Sequence, residues 1–361
     1  MKTSSKDPLC LDGHLPHNGE SHSDCKPTGN SPQGSPSPLW GRAGERIRAW
    51  VLAARPKTLT GAIAPVLVGG AMAFVKTFHS SPSALTPHSS LLISFFLCLL
   101  FAVFMQIDAN FINDYFDFKK GTDREDRLGP ERACAQGWVT PRAMQWGIGI
   151  MTVLSCIIGI AIMLQHMQFE LLLVGILCVI FCFLYTTRLS YLGWGDLLVL
   201  IFFGLIPVVF TYYVMTGGGW NIPLIIAGLA MGLATDNLLM VNNYRDRNQD
   251  KVSGKRTIVV RIIEAQQRAL GERQGQKEGE QICLDLYLWL GIISTLLAFT
   301  ALFLNPFSTI RYPLMLIYLI LHFRTFRQLK TLDGKALNQV LGSTARNIFL
   351  FGLLLAVSTF L

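Results

Sequence analysis

The chain has 361 residues, of which 51% are hydrophobic and only 15% are charged. Because about a quarter of the residues in a soluble domain are charged, this composition excludes an ordinary soluble protein and indicates a chain that crosses a membrane several times. The eight cysteines are scattered along the sequence, so neither a zinc site nor a disulfide framework is expected.

The first 57 residues divide into two stretches of different composition. Residues 1–38 are rich in Pro, Ser, Gly and His and contain no long apolar run, so they predict a disordered tail and no signal peptide. Residues 39–57 alternate basic with apolar side chains. This pattern predicts an amphipathic helix that lies on an anionic membrane surface and ends at Pro56.

Residues 58–361 contain a series of apolar runs, most of them near the ~20 residues that a membrane-spanning helix needs. They predict an all-α integral membrane domain with nine transmembrane helices around a central cavity. The runs cover residues 58–78, 91–112, 143–165, 169–186, 196–216, 222–243, 284–304, 311–323 and 343–361. The charged, glycine-containing segment 264–280 predicts a helix extension followed by a flexible connector.

The basic residues predict how the chain is oriented. All but Lys76 and Arg311 of the 31 Lys and Arg residues fall on one side of these nine spans. Basic loops are typical of the cytoplasmic side, so we expect a protein of the cell membrane (the inner membrane in a bacterium) with a cytoplasmic N-terminus and an external C-terminus. Since this topology accounts for the net charge of +8, nucleic-acid binding is not expected.

A polar cluster lies where the second span meets its charged loop. Asn110, Asn113, Asp114 and Asp117 are spaced three and four residues apart, which places them on one face of a helix, and Asp123 follows after a glycine. Carboxylates at a membrane edge are costly and usually functional.

A second cluster of the same kind lies at the end of the sixth span. Asp246 and Asp250 are one helical turn apart, and Asn242 and Asn243 lie one turn before them. Both clusters are followed by basic residues and fall on the predicted cytoplasmic side. A single cluster of this kind would most often be a solvated, salt-bridged face, but two of them on one side favour a shared site.

The two clusters together suit a diphosphate substrate. Mg²⁺ takes oxygen ligands, commonly one or two carboxylates together with substrate phosphate. Basic side chains would neutralise the remaining phosphate charge, and the bound ions would stabilise diphosphate as a leaving group. A membrane-embedded cavity beside such a site suits a long isoprenoid chain.

Four stretches of the sequence resemble the UbiA superfamily of intramembrane prenyltransferases. They are AARPKTLTGAIAPVLVG (53–69), NDYFDFKKGTDREDRLGPERACAQG (113–137), LYTTRLSYLGWGDLLVLIFFG (184–204) and NNYRDRNQDKVSGKRT (242–257). The resemblance runs from about Arg55 to the C-terminus. Five residues separate Asp117 from Asp123, as in the branch that prenylates 1,4-dihydroxy-2-naphthoate in menaquinone biosynthesis, where hydroxybenzoate members commonly have three. The tail and the 264–280 segment lie outside the family pattern.

The resemblance implies a metal site and a reaction. One Mg²⁺–diphosphate unit would be held by Asn113, Asp117 and Asp123, and the other by Asp246 and Asp250, with the four aspartates as catalytic residues. A polyprenyl diphosphate would ionise there, and its allylic cation would alkylate 1,4-dihydroxy-2-naphthoate with loss of CO₂, giving demethylmenaquinone. No strong base is required, because decarboxylation replaces loss of a proton.

The resemblance also implies a wider set of substrate-binding residues. These are Arg55, Lys57, Asn110, Asn113, Asp114, Tyr115, Lys119, Arg127, Asn242, Asn243, Lys255 and Arg256. Tyr185, as a further catalytic residue, and Tyr115 would stabilise the allylic cation through their rings; membership of an interfacial aromatic belt is the alternative for both.

Some alternatives remain open from the sequence. Asp108 and Asp236 either extend the site or form structural pairs. Asp196 is expected to cap the fifth span, with a part in substrate binding as the alternative. The acceptor could instead be 4-hydroxybenzoate or homogentisate. A polytopic cation-coupled transporter is the remaining function of a different class, although transporters usually place such carboxylates near the membrane midplane.

Overall fold

The computed structural model describes residues 39–80, 88–121, 127–167, 169–305 and 312–360, and in this part of the chain the regular structure is entirely helical. The predicted tail (1–38) and Asp123 lie outside the described residues. The helices are α1 (Leu39–Ala54), α2 (Pro56–Ser80), α3 (His88–Lys119), α4 (Pro141–His166), α5 (Glu170–Leu184), α6 (Gly195–Leu200), α7 (Ile206–Thr216), α8 (Ile222–Val252), α9 (Ile258–Leu270), α10 (Glu272–Leu304), α11 (Tyr312–Thr331) and α12 (Leu337–Phe360). Short π-helical turns extend α5 (Tyr185–Leu189) and join α6 to α7 (Ile201–Leu205), and a 3₁₀ turn (Gly334–Ala336) precedes α12.

Eight helical stretches of the described residues are long and apolar enough to cross a membrane. They confirm an all-α, multi-pass membrane protein, but not the predicted count of nine spans. The predicted eighth span, 311–323, overlaps α11, which is helical but is not among the eight. Its C-terminal half carries Arg324, Arg327 and Lys330, so its apolar run is short.

The core of the bundle forms where α2, α7, α8, α10 and α12 meet, around buried residues such as Val68, Val208, Met231 and Phe351. Helices in a membrane associate through close packing of small residues. Gly232 on α8 shows how close this packing is, because a Cβ atom there would lie 2.7 Å from the carbonyl oxygen of Leu200.

The outer surface of the bundle is apolar. Large side chains on α4 and α5, such as Ile150, Val153, Ile157 and Leu173, are more than half exposed. Soluble proteins rarely expose such continuous apolar surface, so this surface fits contact with lipid.

The end of the amphipathic helix differs from the prediction. The amphipathic helix ends at Ala54 and not at Pro56, because Arg55 adopts a positive φ of 51° and Pro56 begins α2. Proline is favoured at this first helical position because its missing N–H has no partner to lose.

The predicted flexible connector within 264–280 is wrong. Only Gly271 separates α9 from α10, and the two helices form an antiparallel hairpin. Gly275 and Gly279 allow the close approach, since a Cβ at Gly279 would lie 2.7 Å from the Cα of Ile263. Glycine in this segment therefore serves close packing of the two helices and not flexibility.

Candidate active site

A polar pocket of about 100 Å³ lies between the C-terminal part of α3, the turn that follows α5, and the C-terminal half of α8. Its walls combine carboxylate, amide and basic side chains with two glycines that let the backbone come close. The lining residues are Arg55, Asn113, Asp117, Arg132, Tyr185, Thr186, Ser190, Gly193, Gly195, Asp196, Leu239, Asn242, Asn243, Lys255 and Thr257. Residues of both predicted clusters therefore face one pocket.

The first cluster contributes Asn113 and Asp117 to the pocket. Asn113 accepts a hydrogen bond from the Thr186 hydroxyl at 2.8 Å. Arg132 donates to Asp117 at 2.6 Å, and this guanidinium is 7% exposed. Both partners come from distant parts of the sequence, so Thr186 and Arg132 were not identified as site residues from the spacing of the motifs.

Asn110 and Asp114 share the helix but bind backbone and side-chain groups behind the pocket. Asp114 accepts hydrogen bonds from the backbone N–H groups of Ala133 and Cys134 at 2.9 and 3.0 Å. Asn110 donates to the carbonyl oxygen of Ala54 at 2.8 Å. Both side chains are buried, so they fix α3 against the following loop and against the end of α1.

The second cluster contributes Asn242 and Asn243 to the pocket wall. Asp246 lies one turn further along α8 and accepts two hydrogen bonds from Arg245, at 2.8 and 2.7 Å. Asp250 lies 3.8 Å from the Lys255 ammonium and within electrostatic range of Asp117 on the opposite wall. The two clusters are thus close enough for their charges to interact.

Arg245 joins the second cluster to the rest of the site. Its side chain is only 1% exposed and also donates to the side-chain oxygens of Asn242 (2.7 Å) and Asn338 (2.8 Å). Asn338, at the start of α12, in turn donates to the carbonyl oxygen of Leu128 in the loop after α3. Nothing in the sequence singles out Arg245 among the many basic residues of its segment, since only burial reveals its role.

Basic groups crowd the mouth of the pocket. Burial lowers the pKa of Arg55, and the nearby charge of Arg132 lowers it further. Lys120 donates to the carbonyl oxygen of Thr187 at 2.9 Å and lies 3.8 Å above the ring of Tyr191, with Lys255 5.9 Å from the same ring. This concentration of positive charge favours an anionic ligand.

Several residues predicted to bind substrate lie outside the pocket wall. The side chains of Lys57 and Lys119 are exposed, and the Tyr115 hydroxyl accepts a hydrogen bond from Gln145 of α4. Arg127 donates to the carbonyl oxygen of Pro130. The backbone N–H of Arg256 donates to the carbonyl oxygen of Tyr191 at 3.0 Å. Their roles stay predictions.

Asp196 lines the pocket but does not cap α6 as expected. The N-cap of that helix is Trp194, which makes no capping hydrogen bond with its side chain. Asp108 has a structural partner, because the Thr152 hydroxyl donates to it at 2.6 Å.

Comparison with known proteins agrees with this geometry. The model of the UbiA prenyltransferase family matches residues 62–358. The 1,4-dihydroxy-2-naphthoate octaprenyltransferase of Haemophilus influenzae is 34% identical over 60% of this chain and 70% of its own length. The enzyme of that name from Escherichia coli K12 is 35% identical over 67% of this chain and 77% of its own length.

A solved structure of a UbiA homolog from Archaeoglobus fulgidus bound to GPP and Mg²⁺ shares the fold. Its TM-score is 0.52 at 16% sequence identity, and the match covers 86% of this chain and 99% of that one. With a family model that matches most of its length, the chain belongs to the UbiA prenyltransferase family and is a multi-pass membrane prenyltransferase.

Proposed function

We propose that this protein transfers a polyprenyl group from polyprenyl diphosphate to 1,4-dihydroxy-2-naphthoate, with loss of CO₂, to give demethylmenaquinone in its quinol form. The observation that carries this proposal is that residues of both clusters (Asn113, Asp117, Asn242 and Asn243) line one pocket together with three cations. The names of the bacterial relatives, which are 34–35% identical, support the acceptor and the polyprenyl donor.

The basic residues of the pocket would bind the diphosphate. Arg55, Arg132 and Lys255 reach it from three different parts of the chain, the start of α2, the loop after α3 and the segment after α8. Guanidinium groups bind phosphate oxygens in a bidentate manner, which fixes orientation as well as charge. We expect Arg132 to shift part of its interaction from Asp117 to the diphosphate when the substrate binds.

The oxygen donors of the two clusters fit Mg²⁺. Asn113, Asp117, Asp246 and Asp250 offer the hard oxygen ligands that this ion prefers, and we propose that Asp123 adds another. Among the described residues no three acidic, His or Cys side chains come close enough to form a complete metal site. Mg²⁺ held by the side chains of the two clusters would neutralise the charge of the leaving group.

The chain's own residues would then guide the transfer. The bond between the first carbon of the prenyl group and the diphosphate oxygen breaks, and its electron pair leaves with the diphosphate held by the basic residues. Tyr185 lines the pocket between the two clusters and would stabilise the allylic cation through its ring. The ring carbon of the acceptor that bears the carboxylate attacks the cation, and the electrons of the bond to CO₂ return to the ring.

We also propose that the clusters face the cytoplasm, with the N-terminus on that side. The support is the distribution of Lys and Arg: with nine spans, as the sequence predicts, all but Lys76 and Arg311 fall on the same side as the clusters. A cysteine introduced at the exposed Lys119 should then react with a membrane-impermeant maleimide only in inverted vesicles, and labelling in right-side-out vesicles would reverse the orientation.

The proposed reaction can be tested with purified protein in lipid vesicles containing Mg²⁺ and polyprenyl diphosphate. We expect prenylation of 1,4-dihydroxy-2-naphthoate in preference to 4-hydroxybenzoate and homogentisate. Turnover of one of the other phenols without turnover of dihydroxynaphthoate would reject the acceptor while retaining prenyl transfer.

A further inference from the structure

A second pair of carboxylates lies next to the pocket and belongs to neither cluster. Asp196, in the first turn of α6, lines the pocket. Asp236 lies on α8, six residues before Asn242. Measured along the helix axis, Asp236 is about 9 Å deeper in the membrane than Asn242. It is 6% exposed and within electrostatic range of Asp196. The two side chains form an acidic pair, of which Asp196 faces the pocket.

Both carboxylates have an oxygen without a protein partner. The Oδ1 atoms of Asp196 and Asp236 are buried, and neither has a hydrogen-bond partner among the described residues. The same holds for the Oδ1 atom of Asn237, beside Asp236. Because most buried polar atoms are hydrogen-bonded, two such acceptors on neighbouring carboxylates indicate a ligand that donates hydrogen bonds.

Tyr185 lines the same pocket as Asp196. Its ring packs at Gly195, where a Cβ atom would lie 4.0 Å from it, immediately before Asp196. Asp196 and Asp236, and also Asp117 and Asp250 of the two clusters, lie within electrostatic range of the Tyr185 hydroxyl. A ligand bound by the carboxylate pair would therefore meet the prenyl group where it leaves the diphosphate.

We propose that Asp196 and Asp236 bind the aromatic acceptor by accepting hydrogen bonds from its phenolic hydroxyls. This inference rests on the proposed function and assigns the acceptor half of the same site. A carboxylate that accepts from a phenolic O–H increases the electron density of the ring at the neighbouring carbon, where the C–C bond forms. The prenyl C–O bond breaks with its electrons going to diphosphate, and the bond to CO₂ breaks with its electrons returning to the ring, so no proton has to leave the ring carbon.

The pair also predicts selectivity for hydroxyl groups. A site that offers buried hydrogen-bond acceptors rejects analogues that lack the matching donor, because its polar groups are then left unpaired. The mono-O-methyl ethers of 1,4-dihydroxy-2-naphthoate should therefore be poor acceptors for the wild-type protein.

The test uses the full chain in lipid vesicles and compares Asp196→Asn and Asp236→Asn with Asp108→Asn. Asp108 is a matched control, since it is a buried intramembrane carboxylate that also has an unpartnered Oδ1 atom, while its other oxygen accepts a hydrogen bond from Thr152 of α4. At saturating prenyl diphosphate, we expect kcat/KM for dihydroxynaphthoate to fall about 10- to 100-fold in both pocket variants, as for loss of a hydrogen bond to a charged group. Discrimination against the methyl ethers should shrink in the same variants.

Binding of a non-ionising prenyl thiolodiphosphate separates the two halves of the site. Its Kd should stay within about twofold of the wild-type value in every variant, since the donor half is intact. Unchanged acceptor kinetics in both pocket variants would overturn the inference, as would a parallel loss of thiolodiphosphate binding. If the wild-type protein uses another phenol instead, the proposed acceptor is wrong, and the same variants test the inference on that phenol.

Discussion

Arg132 donates a hydrogen bond to Asp117 at 2.6 Å across 15 positions of sequence, so that the loop after α3 returns to the first cluster and places a cation directly on its central carboxylate. A guanidinium in this place has two functions. It stabilises a partly buried aspartate in the absence of substrate, and it is within reach of any phosphate that enters the pocket.

Replacing Arg132 should therefore weaken donor binding. We expect Arg132→Ala to raise KM for polyprenyl diphosphate about 10- to 100-fold, because a hydrogen bond to a charged group contributes about 1.5–3 kcal/mol. Steady-state kinetics at saturating acceptor would measure this. Arg142→Ala, at an exposed position in the first turn of α4, is the control and should change KM less than twofold. Equal effects of the two substitutions would contradict a specific role for Arg132.

The carboxylates of the two clusters should be indispensable for Mg²⁺-dependent transfer. We expect Asp117→Asn and Asp246→Asn each to reduce kcat at least 10²-fold, about the loss seen when one group that stabilises transition-state charge is removed. The proteins should remain in the membrane, since Asn keeps the shape of the side chain. Asp285→Asn on α10, whose carboxylate accepts a hydrogen bond from Gln281 of the same helix, is the control. Full activity in both cluster variants would refute the diphosphate site.

Neighbouring lysines at the end of α3 allow a closely matched comparison. Lys120 donates to the carbonyl oxygen of Thr187 and lies over the ring of Tyr191, and Lys119 is its exposed neighbour on α3. Lys120→Ala should weaken binding of a prenyl thiolodiphosphate several-fold, and Lys119→Ala should leave it nearly unchanged. The reverse order would show that the side chains exchange roles when substrate binds.

Arg245 should matter more for stability than for chemistry. Its removal leaves Asp246 without its buried partner, and breaking a buried ion pair costs about 3–5 kcal/mol. We expect Arg245→Ala to lower the midpoint of thermal unfolding in detergent strongly, and Asn338→Ala to lower it less, by about 1–2 kcal/mol in free energy. Arg324→Ala, which removes an exposed guanidinium on α11, should have little effect. A wild-type midpoint for Arg245→Ala would contradict the structural role.

The sequence revealed much of this site because helical periodicity and charge are local properties. The spacing of Asn113 and Asp117 and of Asn242 and Asp246 places each pair on one helix face, and the structure brings Asn113, Asp117, Asn242 and Asn243 to one pocket. The run of apolar segments likewise predicts a multi-pass helical protein, although the charges at the end of α11 leave the count of spans unconfirmed.

The remaining site residues depend on contacts that no local pattern encodes. Arg132 and Thr186 meet the first cluster only through the course of the loop after α3 and the packing of the turn after α5. Arg245 lies inside the second cluster, next to Asp246, but its contact with Asn338 of α12 depends on how the helices pack. Asn110 and Asp114 show the converse. They belong to the predicted polar face of α3, but their side chains are hydrogen-bonded to backbone groups of neighbouring segments and do not line the pocket. Spacing along one helix identifies a face, whereas the neighbours of that face decide which of its residues meet a ligand.

The most direct test of the proposed function is to follow the carboxylate of the acceptor during turnover. Purified protein in lipid vesicles would receive polyprenyl diphosphate and 1,4-dihydroxy-2-naphthoate labelled with an isotope in the carboxyl group, with Mg²⁺ or with EDTA. We predict that labelled CO₂ is released in step with the prenylated quinol, and that EDTA abolishes both. A prenylated product that retains the label, or no product from this acceptor while 4-hydroxybenzoate or homogentisate is prenylated, would contradict the proposed reaction.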